Sequence, residues 1–200
     1  TIGREAILHG ADAVYIGGPS FGARDKAGNS MEDIAELVEY AHRFRAKIYV
    51  TLNTILHDNE LETARKLAWD CYDAGVDALI VQDVGLVRLA RAITPELPIH
   101  ASTQMTITSP EGAEFAQELG VERAVLAREL SLRELEKFAE GNDALPLEVF
   151  VHGALCVAFS GQCYISHAHT GRSANRSECS QACRLPYTLT DPNGRIVAHD

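Results

Sequence analysis

A chain of 200 residues and 21.8 kDa, 46% hydrophobic and 23% charged, has the composition of a folded globular domain. That excludes a disordered, collagen-like or low-complexity protein, and the length suffices to bury a core without disulfide staples. Eighteen Lys and Arg against 28 Asp and Glu give a formal net charge of −10 and a pI near 5.2, so any nucleic-acid partner needs a local basic patch on an otherwise repelling surface.

The longest unbroken apolar run, Ala154 to Phe159, is six residues, far short of a membrane span. No basic-then-apolar signal opens the chain, and the expectation is a cytoplasmic protein with no membrane partner. The chain starts at Thr1 rather than Met, which is read as the trimming of a leader or of a first element.

In chain order, strand and helix signals alternate. A helix over Arg4 to His9 is closed by Gly10, and Ala13 to Ile16 is a strand ending in Gly17-Gly18. Ser30 is an N-cap with acids behind it, Glu32 and Asp33. Lys47 to Leu52 is the second strand. The helix over Asn59 to Ala74 repeats Leu61, Ala64, Leu67, Ala68 and Cys71 at three- and four-residue spacing and ends at Gly75. Ala78 to Val81 and Pro98 to Ala101 are strands three and four, and Ser109-Pro110 opens the next helix with proline where its missing N–H costs nothing. Arg123 to Ala127 is strand five, Ser131 to Glu134 a capping box, and Leu147 to Val151 strand six. Tyr187 to Thr190 and Ile196 to Ala198, joined through Asp191-Pro192-Asn193-Gly194, predict a small antiparallel hairpin.

The first six strands are short and rich in Val and Ile, which suits strands buried on both faces of a parallel sheet. Their repeat is that of βα units. The predicted fold class is α/β: a partial (β/α)8 TIM-like barrel, lacking its first strand and last units, followed by a cysteine-rich loop segment and a small hairpin. Residues 1–152 form the partial barrel, 153–186 the cysteine-rich segment and 187–200 the start of the hairpin extension. A Rossmann sheet is disfavoured because Gly17-Gly18-Pro19 lacks the Gly-x-Gly-x-x-Gly spacing, and no Walker sequence is present.

Polar residues gather where these strands end: Asn53, then Gln82 and Asp83, then His100 and Gln104, then Arg128 and Glu129, then His152. In a parallel barrel the carboxyl ends converge on one mouth, so these eight are the candidate catalytic residues, able to bind an anionic small molecule or a flipped base. Arg128, with its bidentate fork, suits a carboxylate, unless it is neutralised by Glu129 or Asp83. An internal ion-pair network without ligand is the alternative.

Cys156, Cys163, Cys179 and Cys183 fall within 28 residues in the pattern Cys-x6-Cys-x15-Cys-x3-Cys, whereas Cys71 lies on an apolar helix face. The segment between them is poor in secondary-structure signals and needs something to hold it. An iron–sulfur cluster, zinc and a non-metal role all remain open, with disulfides disfavoured by the absence of a secretory signal.

The stretch Glu148-Val149-Phe150-Val151-His152-Gly153-Ala154-Leu155-Cys156, with Ser160-Gly161-Gln162-Cys163-Tyr164-Ile165-Ser166, resembles the signature of the U32 peptidase family. Gly171 to Arg176, Cys179 to Arg184, Ala11 to Gly18, Thr51 to Thr54 and Ser102 to Gln104 extend the likeness through nearly the whole chain. Within that family it is most similar to the bacterial branch that hydroxylates a cytidine of large-subunit (23S) ribosomal RNA. A sister branch acts on wobble uridine of tRNA, and other relatives support ubiquinone hydroxylation. The resemblance implies a barrel-like catalytic domain, a four-cysteine 4Fe-4S cluster on Cys156, Cys163, Cys179 and Cys183, prephenate as cosubstrate, and structured RNA, ribosomal RNA or its precursor, as partner. Zinc is the alternative metal. U32-type, collagenase-like proteolysis and tRNA uridine hydroxylation are the alternative activities. Gly-x-Ser-x-Gly and His-Glu-x-x-His are both absent, which disfavours the serine- and zinc-protease chemistries.

The charge pattern accommodates RNA. From Ser166 to Pro186, Arg172, Arg176 and Arg184 face one acid, Glu178, so that segment carries +2 while the rest carries −12 of the total −10. The three arginines are therefore the candidate RNA contacts, with Tyr164 or Phe159 as stacking partners for a base.

Overall fold

The structure, a computed structural model, describes residues 1–22, 28–141, 145–153, 156, 158–176 and 178–199. Ala154, Leu155, Val157 and Ser177 of the cysteine-rich segment thus lie outside the described residues. The body is a run of βα units: α1 (Ile2–Leu8), β1 (Ala13–Gly17), α2 (Met31–Arg43), β2 (Lys47–Leu52), α3 (Leu61–Asp73), β3 (Ala78–Val81), α4 (Val84–Ile93), β4 (Ile99–Ala101), α5 (Pro110–Glu118), β5 (Arg123–Val125), α6 (Leu132–Gly141) and β6 (Leu147–Glu148). The six strands form one sheet in the order β1-β2-β3-β4-β5-β6, and every pair is parallel. The sheet is a curled half-barrel with its strand ends at one mouth, and the helices cover its outer face.

Local chemistry sets the element starts. Ser30 accepts a hydrogen bond from the Asp33 N–H while the Asp33 carboxylate accepts from the Ser30 N–H, a reciprocal cap that opens α2. Ser109 accepts from Gly112 N, with Pro110 leading α5. The helix expected from Asn59 starts instead as a short 3-10 turn, Asp58–Glu60, before α3.

The main core lies between sheet and helices, where Ile48, Val50, Leu79, Val81 and Ile99 meet Ile34, Leu67, Leu86 and Phe138. Cys71 belongs to this core, as expected, and burial pushes its thiol up to about 12. The inner face differs from the expectation of strands apolar on both sides. Alternate positions there include Tyr15, Lys47, Tyr49, Thr51, His100 and Arg123, beside a small buried cluster of Tyr49, Ala78 and Ile80 that is separate from the main core. A period-2 backbone puts each of these opposite a core residue, so β1, β2, β4 and β5 are partly polar, while β3 is apolar and buried on both faces as expected.

Two strands are shorter than the sequence suggests. β5 ends at Val125: Leu126 N still donates to Glu148 O of β6, but Ala127 N donates to Ile107 O rather than to a neighbouring strand. β6 stops at Glu148, and Val149 to Val151 run on as exposed chain at the sheet edge. After it come α7 (Ile165–Thr170), two 3-10 turns (Ala174–Arg176 and Ala182–Arg184), and an antiparallel hairpin of β7 (Thr188–Thr190) and β8 (Ile196–His199), as expected. Its turn is closed by the Asp191 carboxylate, which accepts from Asn193 N and Arg195 N at 2.9 Å each. Among the described residues, no helix is long and apolar enough to cross a membrane.

The cysteine-rich segment is laid over the mouth at Ser160-Gly161. Gly161 has φ +76°, and a Cβ there would lie 1.9 Å from the carbonyl oxygen of Gln104, so only glycine permits the approach. Gly161→Ala is expected to destabilise the protein by more than the ~1–3 kcal/mol of the backbone conformation alone, because the overlap with backbone adds to it. Chemical denaturation with an unchanged m-value is the check.

Candidate functional site

The strand ends and the cysteine-rich segment enclose one cavity of about 580 Å³. Its floor is the inner face of the sheet, at Tyr15, Thr51, Ile80 and Val125; Asn53, Ser102, Gln104 and Arg128 stand at the rim; and the segment from Cys156 to Arg184 forms the facing wall. Asn53 is buried and donates from Nδ2 to Ser102 Oγ at 3.1 Å. The Arg128 guanidinium lies over the Phe150 ring, 5.4 Å from its centroid, a cation–π contact inside the cavity.

Of the eight residues expected to act at the mouth, the structure brings Asn53, Gln104 and Arg128 together in the cavity. The other five do not line it. Asp83 is a helix cap: its carboxylate accepts from Leu86 N at 3.0 Å and from Leu56 N at 3.1 Å. Glu129 is taken by Ser160, which donates both its N–H and its Oγ–H to that carboxylate at 2.8 Å. Neither acid therefore neutralises Arg128. His152 is exposed, because β6 ends four residues before it and the chain past the sheet edge carries it away.

Gln82 and His100 are buried one level down. Gln82 Oε1 and His100 Nδ1 are enclosed and have no hydrogen-bond partner among the described residues. The His100 ring stands edge-on to Tyr49 with centroids 4.8 Å apart, and Tyr49 is in turn 5.4 Å from Tyr15. Tyr15 donates from its hydroxyl to Glu148, and Arg123 reaches the same carboxylate at 3.5 Å. Tyr15 thus joins the first strand to the last across the inner face. Burial, then the hydrogen bond to Glu148, raises the Tyr15 phenol above its ordinary range. Sequence reading missed this layer of Tyr15, Tyr49, Arg123 and Glu148; the signal available was the alternation of polar residues within the strands.

All four cysteines of the segment are free thiols that line the cavity. Among the described residues, no three His, Cys, Asp or Glu side chains are gathered closely enough to hold an ion as they stand. The donor set is right for a cluster or for zinc, and binding would have to draw the thiols together.

The three expected RNA arginines divide. Arg172 and Arg184 line the cavity. Arg176 does not: its guanidinium grips Glu60 with bonds of 2.9 and 2.6 Å and donates to Ile55 O at 2.7 Å, while Ile55 N donates to Asn175 O. That bidentate pair, with the His57 N–H, holds the Glu60 carboxyl down at about 2. Arg176 is a strap between the cysteine-rich segment and the turn after β2. The cavity lining then carries three arginines, Arg128, Arg172 and Arg184, against one carboxylate, Glu178.

Burial, followed by the nearby charges of Arg123 and Lys47, lowers His100 to about 4. A histidine whose folded pKa is depressed costs nothing above about 6.5, where both states are neutral. As pH falls from there towards 4, the unfolded chain takes up a proton that the folded chain does not, and stability declines; below about 4 this contribution stops changing. Replacing His100 with Gln is expected to flatten the stability profile between pH 6.5 and 4, measured as denaturant midpoints across that window.

With this geometry in view, the relatives are informative. The chain is 62% identical over 199 residues to the 23S rRNA 5-hydroxycytidine C2501 synthase of Escherichia coli, covering 100% of this chain and 30% of that protein. It is 40% identical over 190 residues to tRNA hydroxylation protein P1 of Bacillus subtilis, covering 94% of this chain and 45% of that one. It therefore spans less than half the length of either curated relative. Among solved structures, the U32 peptidase Mk0906 superposes with a TM-score of 0.61 at 17% identity, over 73% of this chain and 63% of that one, a likeness of fold. The profile of peptidase family U32 matches residues 2–199, and the chain belongs to that family.

Proposed function

We propose that the chain carries the core of an RNA hydroxylase that places a hydroxyl on C5 of a pyrimidine, a cytidine of 23S ribosomal RNA. The observation that carries this reading is the cavity: four free thiols and three arginines with one carboxylate, at the mouth of an otherwise acidic half-barrel. An acidic body repels phosphates everywhere except at that wall, so the RNA backbone is directed to Arg172 and Arg184. A cavity of about 580 Å³ admits a single base, which has to be flipped out of its stack or presented single-stranded. The identity of the chain with the C2501 synthase favours cytidine of ribosomal RNA over tRNA.

In this proposal Cys156, Cys163, Cys179 and Cys183 hold an iron–sulfur cluster of the 4Fe-4S type, which supplies one-electron redox chemistry when bound. Arg128 holds the carboxylate of prephenate, the small-molecule cosubstrate; its planar fork is kept in place by the Phe150 ring. Asn53, fixed by Ser102, closes the same rim. Proteolysis fits these residues poorly. Ser160 Oγ–H is given to Glu129, and His152 lies outside the cavity, so these two do not form a nucleophile–imidazole pair.

The test is made on the full-length protein. Purified without oxygen, it is expected to show a broad visible absorption with four irons and four sulfides per chain; Cys163→Ser removes them and Cys71→Ser does not. Deleting the gene should remove a 16-dalton increment from one ribosomal RNA cytidine in nucleoside mass spectrometry. Unchanged RNA together with cleavage of peptides by the purified protein overturns the proposal.

A further inference from the structure

Gln104 stands at the cavity rim on a closely held stretch of backbone. It sits in the short 3-10 turn Thr103–Met105 that follows β4, and Ser102 caps that turn by accepting from Gln104 N at 3.2 Å. The turn ends at Thr106, which holds a left-handed φ of +60°. That conformation is unfavourable for a β-branched residue, and it is kept by Thr106 Oγ1 donating to Ser160 O at 2.7 Å. On the other side Gly161 meets the Gln104 carbonyl so closely that no side chain fits. A cap, a strained residue and an obligatory glycine thus fix the backbone from which the Gln104 side chain starts. Its side chain lines the cavity, yet its Oε1 is enclosed and has no hydrogen-bond partner among the described residues. An unsatisfied acceptor at a strained, well-held position signals a partner that arrives from outside the chain.

We infer that Gln104 is the base-recognising residue of the site, pairing its amide with the Watson–Crick edge of the flipped pyrimidine; the assignment rests on the hydroxylation reading above. A primary amide sets an acceptor beside a donor. Cytosine presents the complement, the N4–H donor beside the N3 acceptor, and leaves its C5–C6 edge, on the opposite side of the ring, free for reaction. The last torsion of glutamine is broad and two-fold, so half a turn exchanges oxygen and nitrogen and matches uracil, O4 beside N3–H, instead. Gln104 therefore reads the pyrimidine edge and tolerates either base. A carboxylate at the same place only accepts, so with either base it keeps one bond, to cytosine N4–H or uracil N3–H, and sets its second oxygen against cytosine N3 or uracil O4.

The experiment uses full-length protein and a transcript of the ribosomal RNA segment that it modifies, made with cytidine, uridine or an abasic site at the modified position. Binding is read by fluorescence anisotropy and hydroxylation by mass spectrometry. The unaltered protein should bind the cytidine segment about tenfold or more tighter than the abasic one. Gln104→Ala should bind the two alike, and Gln104→Glu, which keeps one bond and opposes the other, should weaken the cytidine and uridine segments alike by about tenfold. The isosteric Gln104→Met, with its melting temperature measured beside the others, should behave as Ala does, which separates lost hydrogen bonds from lost packing. Gln104→Ala retaining the original preference over the abasic segment, or Gln104→Glu leaving the binding of both bases unchanged, overturns the assignment. An unaltered protein that hydroxylates neither segment but prefers cytidine to the abasic site refutes the hydroxylation reading and leaves Gln104 as the reader of the base.

Discussion

The site depends on one carboxylate. Glu129, in the loop that follows β5, receives both the N–H and the hydroxyl of Ser160, and so fixes the cysteine-rich segment against the strand ends. Thr106 Oγ1 holds the Ser160 carbonyl from the other side, so all three polar groups of Ser160 are bound and the residue is buried. Charge-assisted bonds of this kind are the stronger class, and here two share one acceptor group. A second clamp, Arg176 on Glu60, ties the segment to the turn after β2. Between the two attachments lies a stretch with little regular structure of its own, which has shape only because the barrel lends it one. Without them the floor of the cavity would face open solvent.

That arrangement gives structural roles to one candidate catalytic residue, Glu129, and one candidate RNA contact, Arg176. Glu129 and Arg176 carry the right chemistry for a site, and nothing local distinguishes a catalytic carboxylate from one that anchors a loop. Their partners are 31 and 116 residues away in the chain, a pairing that no spacing rule reaches. Asp83 is different. It stands directly before the apolar run Val84-Gly85-Leu86-Val87, a helix-start signal that was available, so its capping role was legible. His152 was misplaced for another reason: Val149 to Val151 have strand-like residues but no neighbour at the sheet edge to pair with. What was legible throughout was local. The six parallel strands, the Ser30 and Ser109 caps, the Cys71 core position and the Asp191 turn all follow from residues within a few positions of one another.

The inner face of the sheet links fold to site. Its polar layer would be costly inside an ordinary core, yet Tyr15, Glu148 and Arg123 satisfy one another, and burial keeps His100 uncharged near neutral pH. The Tyr15–Glu148 bond spans the first and last strands and so holds the curl of the sheet, with Tyr15 presented as part of the cavity floor. Arginines then come from above, from the segment that Glu129 and Glu60 hold down. Sheet and segment each supply half of the cavity.

The most direct test of this account is amide hydrogen exchange across residues 158–186 of the full-length protein, compared with Glu129→Ala and with Glu129→Ala combined with Glu60→Ala. Protection in that segment is expected to fall with the first change and to disappear with both, while β1 to β4 keep theirs. Unchanged protection of the segment in the doubly altered protein would contradict the claim that these two carboxylates build the site.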